Sequence, residues 1–180
     1  RFKLTFPTKN INFSTEADLI HSCRRALYDF FRKNPVNAAP SETFLETLRW
    51  IVFTEFENPQ TSYPLASCPS CGRRDVGIHK SALSVEMTIE CPDCNGVIYL
   101  TDVFRLHEAI DNELGAGGVL GYLTVLLEQI VLAHFIRTIL LTKPSLLGQT
   151  IFIKDGPLAF FGQTANMHKL FRKLMTFLQT

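Results

Sequence analysis

The sequence predicts a helix-rich α/β fold that carries an inserted module with four cysteines. Apolar residues recur at helical spacing in four long segments, two on each side of this module. Two Cys-x-x-Cys pairs lie between residues 68 and 94, and a short apolar run, Ile151–Ile153, is typical of a buried strand. We therefore divide the chain into residues 1–64 (a strand and two helices of the core), 65–101 (the cysteine module) and 102–180 (further helices, the 151–153 strand and the C-terminal helix).

The composition is that of a globular chain with enough apolar material for a core. Of 180 residues, 46% are hydrophobic and fifteen are Phe, while the formal net charge is only +1. This balance excludes binding of nucleic acid through overall positive charge, so any such binding depends on local patches. The most apolar uncharged run, Leu114–Leu127, is shorter than the roughly 20 residues of a membrane span. We therefore expect no membrane segment and a cytoplasmic protein.

The four cysteines form two pairs with the spacing of metal ligands. Cys68 and Cys71 make the first pair, Cys91 and Cys94 the second, and nineteen residues lie between the pairs. Two such turns can supply the four thiolates of a tetrahedral structural Zn²⁺, and the intervening length suits a zinc ribbon. The alternative is a pair of disulfides, which the absence of a secretion signal disfavours.

Short strands and glycines around these pairs also predict a zinc ribbon. Val76–Lys80, Leu83–Glu90 and Val97–Leu100 have the apolar content of strands, and the second alternates apolar and polar residues. Gly72 and Gly96 each follow a cysteine pair, where a tight turn favours a residue that tolerates positive φ.

The first predicted helix begins at a Ser14 or Thr15 cap and runs to Lys33. Its apolar face contains Cys23, which we interpret as a core residue and not as a fifth ligand. Its cations are assigned to a solvated face, with phosphate contact as the alternative: Arg24, Arg25, Arg32 and Lys33.

The rest of the N-terminal part is predicted as a strand and a second helix. Phe2–Phe6 alternates apolar and polar residues, as strands do. The second helix is predicted from a cap at Ser41 to about Phe56, and Pro59 and Pro64 then form a stiff connection to the ribbon.

After the ribbon, Thr101 or Asp102 is expected to cap a short helix. Within it, His107-Glu108 begins the His-Glu-x-x-His pattern of zinc proteases, but Asp111 stands where the second histidine is required. A protease is therefore excluded, and we interpret His107 and Glu108 as surface or hinge residues, with a role in a site as the alternative.

A long helix is predicted from the Gly115–Gly118 region to Leu141, apolar on most sides and therefore largely buried. Gly121 and Thr124 lie on the same face as Glu128, and small residues allow another backbone to approach closely. A carboxylate in such a contact is costly unless it binds a cation or is hydrogen-bonded. From position alone, Glu128 is either a metal ligand or a residue that reaches solvent or an arginine.

Ile151–Ile153 is interpreted as a central strand that Asp155-Gly156-Pro157 ends. An Asp at the carboxyl end of a buried strand lies where α/β sheets place their chemistry, although Asp also commonly caps turns. The last helix is predicted from Thr164 to Leu178, with His168 at the border of its inward face.

The run from Phe152 to Gly162, Phe-Ile-Lys-Asp-Gly-Pro-Leu-Ala-Phe-Phe-Gly, follows Glu128 and resembles the second acidic motif of the NurA nuclease family. The segment from Tyr99 to Glu108 is also similar to bacterial and phage-defence members, so the resemblance covers roughly Cys68 to the end of the chain. It implies an RNase H-like core with the ribbon inserted, and a manganese-dependent DNA nuclease that processes DNA ends or acts in phage defence.

The resemblance also implies partners and site residues. Members act as dimers beside a HerA-type hexameric ATPase. By resemblance, Glu128 and Asp155 bind catalytic Mn²⁺ or Mg²⁺, and His168 or Lys169 assists. The family's first metal ligand lies in an Asp-Gly-Ser motif that this chain lacks. Because the chain begins at Arg1, we expect a fragment that starts after that motif and holds half of the metal site.

Two other functions stay open. The chain can instead be a non-catalytic zinc-ribbon module that binds nucleic acid or a protein partner, with Arg73, Arg74 and Lys80 contributing and Asp155 only capping a turn. It can also be a degenerate member of the family that serves as a scaffold for an ATPase.

Overall fold

The structure, a computed structural model, describes residues 6, 11, 14–33, 43–110, 117–153 and 162–179. Within these residues the chain is a mixture of helices and small sheets, as the sequence predicts. The helices are α1 (Glu16–Lys33), α2 (Phe44–Val52), α3 (Gly117–Thr142) and α4 (His168–Phe177). The strands are β1 (Ser62–Ser67), β2 (Arg74–His79), β3 (Thr88–Glu90) and β4 (Val97–Tyr99). Short 3₁₀ turns connect them at Lys80–Ala82, Leu100–Phe104, Leu106–Ala109, Pro144–Gln149 and Gly162–Met167.

Helix α1 begins at Glu16 and is capped by the preceding residue, Thr15. The Thr15 hydroxyl accepts a hydrogen bond from the Asp18 backbone N–H at 3.1 Å and donates one to the Asp18 carboxylate at 2.8 Å, so Thr15 caps the helix. Cys23 is buried in the core, as predicted. Arg24 is buried too, which corrects its assignment to the solvated face, whereas the other cations of α1 are exposed.

Helix α2 is shorter than predicted. Its cap is Thr43, whose hydroxyl accepts from the Glu46 backbone N–H at 3.3 Å, while the predicted cap Ser41 lies outside the described residues. The helix stops at Val52 and does not reach Phe56, because Thr54 adopts the left-handed conformation with a φ of 47°.

The ribbon consists of two antiparallel hairpins, β1 with β2 and β3 with β4. The sequence pattern misses β1 because Pro64 indicates a break; the strand lies at a sheet edge, where a residue without an N–H is tolerated. The predicted strand Leu83–Glu90 shrinks to β3, because Met87 has a φ of 56° and its N–H closes a turn onto the Ser84 carbonyl at 2.9 Å. The ribbon thus begins at Ser62, before the predicted boundary.

Helix α3 matches its predicted range but is not buried on most sides. One face packs into the protein: Val119, Leu123, Leu126, Gln129, Ile130, Ala133, His134, Ile136 and Arg137 are buried. On the other side Leu120, Phe135 and Leu141 are 45%, 40% and 60% exposed, so no described residue covers them fully. Val119–Thr142 is long and apolar enough to cross a membrane, a test that the core helices of water-soluble proteins also pass.

The chain after α3 departs from the prediction. Ile151–Ile153 forms no strand, and Ile151 and Ile153 are 86% and 93% exposed. The expected central strand is therefore wrong for these residues, since no described strand pairs with them. Asp155 and its Gly-Pro turn lie outside the described residues, as do Phe2–Thr5 of the predicted first strand.

Gly162 fixes the start of the last segment against α3. Its φ is +55°, and a Cβ added there would lie 2.3 Å from the Tyr122 Oη. Only glycine satisfies both the left-handed backbone and this close approach. Helix α4 follows within the range predicted for the last helix, and it buries Leu170, Phe171 and Leu174.

Ribbon and helices share one hydrophobic core. Leu65, Ile78 and Ile98 of the ribbon belong to the same buried cluster as Phe31 of α1 and Leu126 of α3. The strands described here form two two-stranded sheets, and an RNase H-like core stays a prediction.

Candidate metal centre

The four predicted ligands come together at one end of the ribbon. The Sγ atoms of Cys68, Cys71, Cys91 and Cys94 all lie within 4.8 Å of one another. Between the pairs, the Cys68–Cys94 sulfurs are 3.9 Å apart and the Cys71–Cys91 sulfurs 3.8 Å. A tetrahedral Zn²⁺ with Zn–S bonds of ~2.3 Å places its sulfurs about 3.8 Å apart. The cluster can therefore hold a structural metal ion such as zinc.

A pair of disulfides does not fit this geometry. A disulfide needs sulfurs about 2.05 Å apart, and all five cysteines are free thiols in the structure. Cys68 and Cys91 are buried while Cys71 and Cys94 are exposed. Each pair thus contributes one ligand from the core and one from the surface.

Backbone hydrogen bonds shape both cysteine turns in the same way. The Gly72 N–H donates to the Cys68 carbonyl and the Asn95 N–H to the Cys91 carbonyl, each at 2.9 Å. Gly72 and Asn95 have positive φ values of 73° and 54°. Asn95, not Gly96, therefore occupies the left-handed position of the second turn, which Asn tolerates. Gly96 is needed for space instead, since a Cβ there would lie 2.8 Å from a serine hydroxyl of the first turn.

The same turns favour the thiolate form of one ligand. Backbone N–H groups of Cys94 and Asp93 point at the Cys91 sulfur and lower the pKa of its thiol to about 7. Burial acts in the opposite direction on Cys68 and raises the pKa of that thiol. Because the thiolate is the ligand form, Cys91 is well prepared to bind a cation at neutral pH.

A buried ion pair fastens the ribbon to α1. The Arg24 Nε and Nη2 donate to Asp102 Oδ1 and Oδ2 at 2.9 and 2.7 Å, and the side chains are 4% and 2% exposed. Arg24 Nη2 also donates to the Val97 carbonyl at 2.7 Å, and the Tyr99 N–H donates to Asp102 Oδ2 at 2.8 Å. Strand β4, which follows the second cysteine turn, is thereby held against α1.

Aromatic contacts extend this anchor. The rings of Tyr28 and Tyr99 stack with centroids 4.6 Å apart, and the Tyr28 hydroxyl donates to the Glu86 carbonyl at 2.7 Å. Sequence reasoning missed Arg24 and Tyr28 as anchoring residues. The available signal is their place on α1, one and five residues after the buried Cys23.

The predicted catalytic carboxylates are only partly described. Glu128 lies on α3 and is exposed, as are Gly121 and Thr124 on the same face. The expectation that Glu128 points into a close contact is therefore wrong within the described structure. Asp155 lies outside it, so a meeting of the two carboxylates stays a prediction. Among the described residues, the cysteines form the group of three or more ligands that could hold one ion, and Glu128 is not in it.

The predicted assisting residues lie at the start of α4. His168 and Lys169 are both exposed. His168 lines a small cavity with Gln129 and Leu132 of α3. The start of α4 therefore lies beside the stretch of α3 that carries Glu128.

Comparison with protein-family models, with curated protein sequences and with solved structures finds no match to this chain. Function is therefore inferred from the residues and their geometry.

Proposed function

We propose that this chain is part of a Mn²⁺- or Mg²⁺-dependent DNA nuclease of the NurA type, with an RNase H-like core and a structural zinc ribbon. The observation that best supports it is the position of Glu128. It is exposed on α3, and the next residue along the chain, Gln129, lines a cavity with His168 at the start of α4. The Asp155-Gly156-Pro157 run follows in the chain.

Carboxylates are suited to metal-dependent cleavage of a phosphodiester. Cleavage of a phosphodiester passes through a transition state with extra negative charge, which one or two divalent ions stabilise. Oxygen ligands suit Mg²⁺ and Mn²⁺, whereas the four thiolates suit Zn²⁺. Glu128 and Asp155 are the proposed oxygen ligands, and His168 or Lys169 the proposed assisting group. The ribbon cysteines then maintain the fold and take no part in cleavage.

Partners and location are part of the same proposal. A NurA-type nuclease would process DNA ends or act in phage defence, in the cytoplasm, as a homodimer beside a HerA-type ATPase. The exposed Leu120, Phe135 and Leu141 of α3 are consistent with a further protein contact.

The charges on the ribbon surface give little support to the alternative, a non-catalytic zinc-ribbon module. Arg73 pairs with Asp93, and Lys80 pairs with Glu55 at 2.7 Å. Of the three ribbon cations that favour this alternative, only Arg74 has no ion pair with a described residue. The ribbon therefore offers little uncompensated charge to a nucleic acid.

The test is cleavage of linear DNA by the full-length protein in Mn²⁺, in Mg²⁺ and in EDTA. The proposal predicts degradation with a divalent ion, none in EDTA, and loss of activity in Asp155→Asn with its zinc content unchanged. DNA that stays intact under all three conditions would leave the binding module as the better account.

A further inference from the structure

Helix α4 concentrates positive charge on one side. It contains Lys169, Arg172 and Lys173 and no acidic residue, and all three cations are exposed. They lie at positions i, i+3 and i+4, which share one face of a helix. Like charges at this spacing repel and destabilise a helix slightly, so fold stability does not explain them. The whole chain, by contrast, has a net charge of only +1.

These cations differ from most others in the described structure because they form no ion pair with a described carboxylate. Ion pairs with described acids are formed by Arg24, Arg25, Arg32, Lys33, Arg49, Arg73, Lys80 and Arg105. Lys169, Arg172 and Lys173 form none with the part of the protein that the structure describes.

The three cations line an open groove of about 480 Å³. His168 and Thr176 add polar groups to its wall, and Glu57 is its one described acidic lining residue. Three cations against one carboxylate leave the groove positive. Among its described lining residues only Ala165 is of an apolar type, and none is Phe, Tyr or Trp, whereas the centres of protein–protein interfaces are enriched in Tyr, Trp and Phe.

We infer that this groove binds the phosphodiester backbone of DNA. Lysine, arginine and hydroxyl side chains are the groups that contact phosphates without reading sequence. Lys169 and Lys173 are four residues apart, or about 6 Å along the helix axis. This separation is close to the axial rise of two successive phosphate steps on one strand of B-DNA. The choice of DNA rests on the proposed nuclease function. The inference adds the path of the strand, which runs along α4 past His168.

Fluorescence anisotropy with a labelled DNA duplex, without added Mn²⁺ or Mg²⁺, tests this without cleavage and leaves the ribbon zinc in place. The groove variant is Arg172→Gln/Lys173→Gln, which leaves the proposed assisting residues intact. The matched control is Arg74→Gln/Lys143→Gln, which removes the same charge from two exposed cations that have no ion pair with a described residue. Circular dichroism establishes that both variants are folded.

We expect the groove variant to bind DNA about tenfold or more weakly in low salt, and the slope of log K against log salt to fall in magnitude by about 2, one for each lost phosphate contact. The control should retain the wild-type slope. The inference is overturned if the groove variant binds like wild type, if the control loses as much, or if wild type binds no DNA. Groove-dependent binding without any Mn²⁺-dependent cleavage would reject the nuclease and leave this inference standing. Cleavage by wild type with unaltered binding by the groove variant would reject this inference and leave the proposed nuclease standing.

Discussion

The Arg24 guanidinium and the Asp102 carboxylate form a bidentate ion pair inside the protein, with side chains only 4% and 2% exposed. The pair joins residues 78 positions apart, one on α1 and one just after β4. Removal of one partner from such a pair leaves a buried charge without compensation, which is far more costly than loss of an exposed pair. The packing of the ribbon against α1 therefore depends on both residues.

Asp102→Ala should lower the free energy of unfolding by about 3–5 kcal/mol, because Arg24 would stay buried without its counter-ion. Urea denaturation followed by circular dichroism measures this. Asp29→Ala is the control, since it removes a more exposed carboxylate that pairs with Arg25 at 3.4 Å and Lys33 at 3.6 Å. Its expected cost is about 0–1 kcal/mol, and equal losses in the two variants would contradict the assigned role of Asp102.

The cysteine geometry predicts one Zn²⁺ per chain. Elemental analysis should give a stoichiometry near one, and X-ray absorption should show four sulfur ligands at about 2.3 Å. Cys91→Ser should lose the metal and the hydrogen-exchange protection of β3 and β4, while α1 and α2 stay protected. Cys23→Ala is the control because Cys23 is a buried thiol outside the cluster. A zinc-free wild type with two disulfides would reject the site.

Gly162→Ala should destabilise the protein by about 1–3 kcal/mol, because the new Cβ meets Tyr122 and the backbone is left-handed. Thermal unfolding measures the loss. Gly148→Ala is the matched control, since nothing lies within 4 Å of a Cβ there and its φ is not positive. In a Tyr122→Ala background the collision is removed, so Gly162→Ala should then cost only the backbone strain relative to Tyr122→Ala alone. A harmless Gly162→Ala variant would mean that α3 does not pack on this residue as described.

Burial lowers the pKa of His107, against the partly opposing field of Asp102 and Glu108. As the pH falls below the ordinary histidine value of about 6.5, the unfolded chain binds a proton before the folded protein does. The contribution of neutral His107 to the free energy of unfolding is therefore complete above pH ~6.5 and is lost as the pH falls below it. Urea unfolding at pH 5 to 8 should show a smaller loss at low pH for His107→Gln than for wild type. Identical profiles for wild type and His107→Gln would contradict the partly buried position of His107.

The metal cluster could be predicted from sequence because its determinants are local. Each Cys-x-x-Cys turn places two thiols together by itself, so only the pairing of the two turns depends on the fold. The helix boundaries at Thr15 and in α3 follow from caps and periodicity in the same way. The end of α2 could not be predicted in this way, because the residue types do not indicate that Thr54 adopts the left-handed conformation that ends the helix.

Features that depend on distant partners were missed. Arg24 and its exposed neighbour Arg25 are the same residue type, and the partners that satisfy the buried Arg24, Asp102 and the Val97 carbonyl, lie far along the chain. Helix α3 is apolar nearly all round, so periodicity alone does not distinguish its buried face from the exposed side that holds Glu128. Ile151–Ile153 has strand-forming residues, but no described strand pairs with it.

The proposed nuclease is tested most directly by Mn²⁺-dependent cleavage of linear DNA by the full-length Glu128→Gln variant. Glu90→Gln is the matched control, since Glu90 is an exposed carboxylate on the ribbon strand β3. Wild type and the control should cleave in Mn²⁺ and not in EDTA. The Glu128→Gln variant should be at least about 100-fold slower, since loss even of residues that only orient a metal ligand costs about 10–100-fold, and its zinc content and circular dichroism should match wild type. If Glu128→Gln cleaves as fast as wild type, the assignment of Glu128 as a ligand of the catalytic metal is wrong.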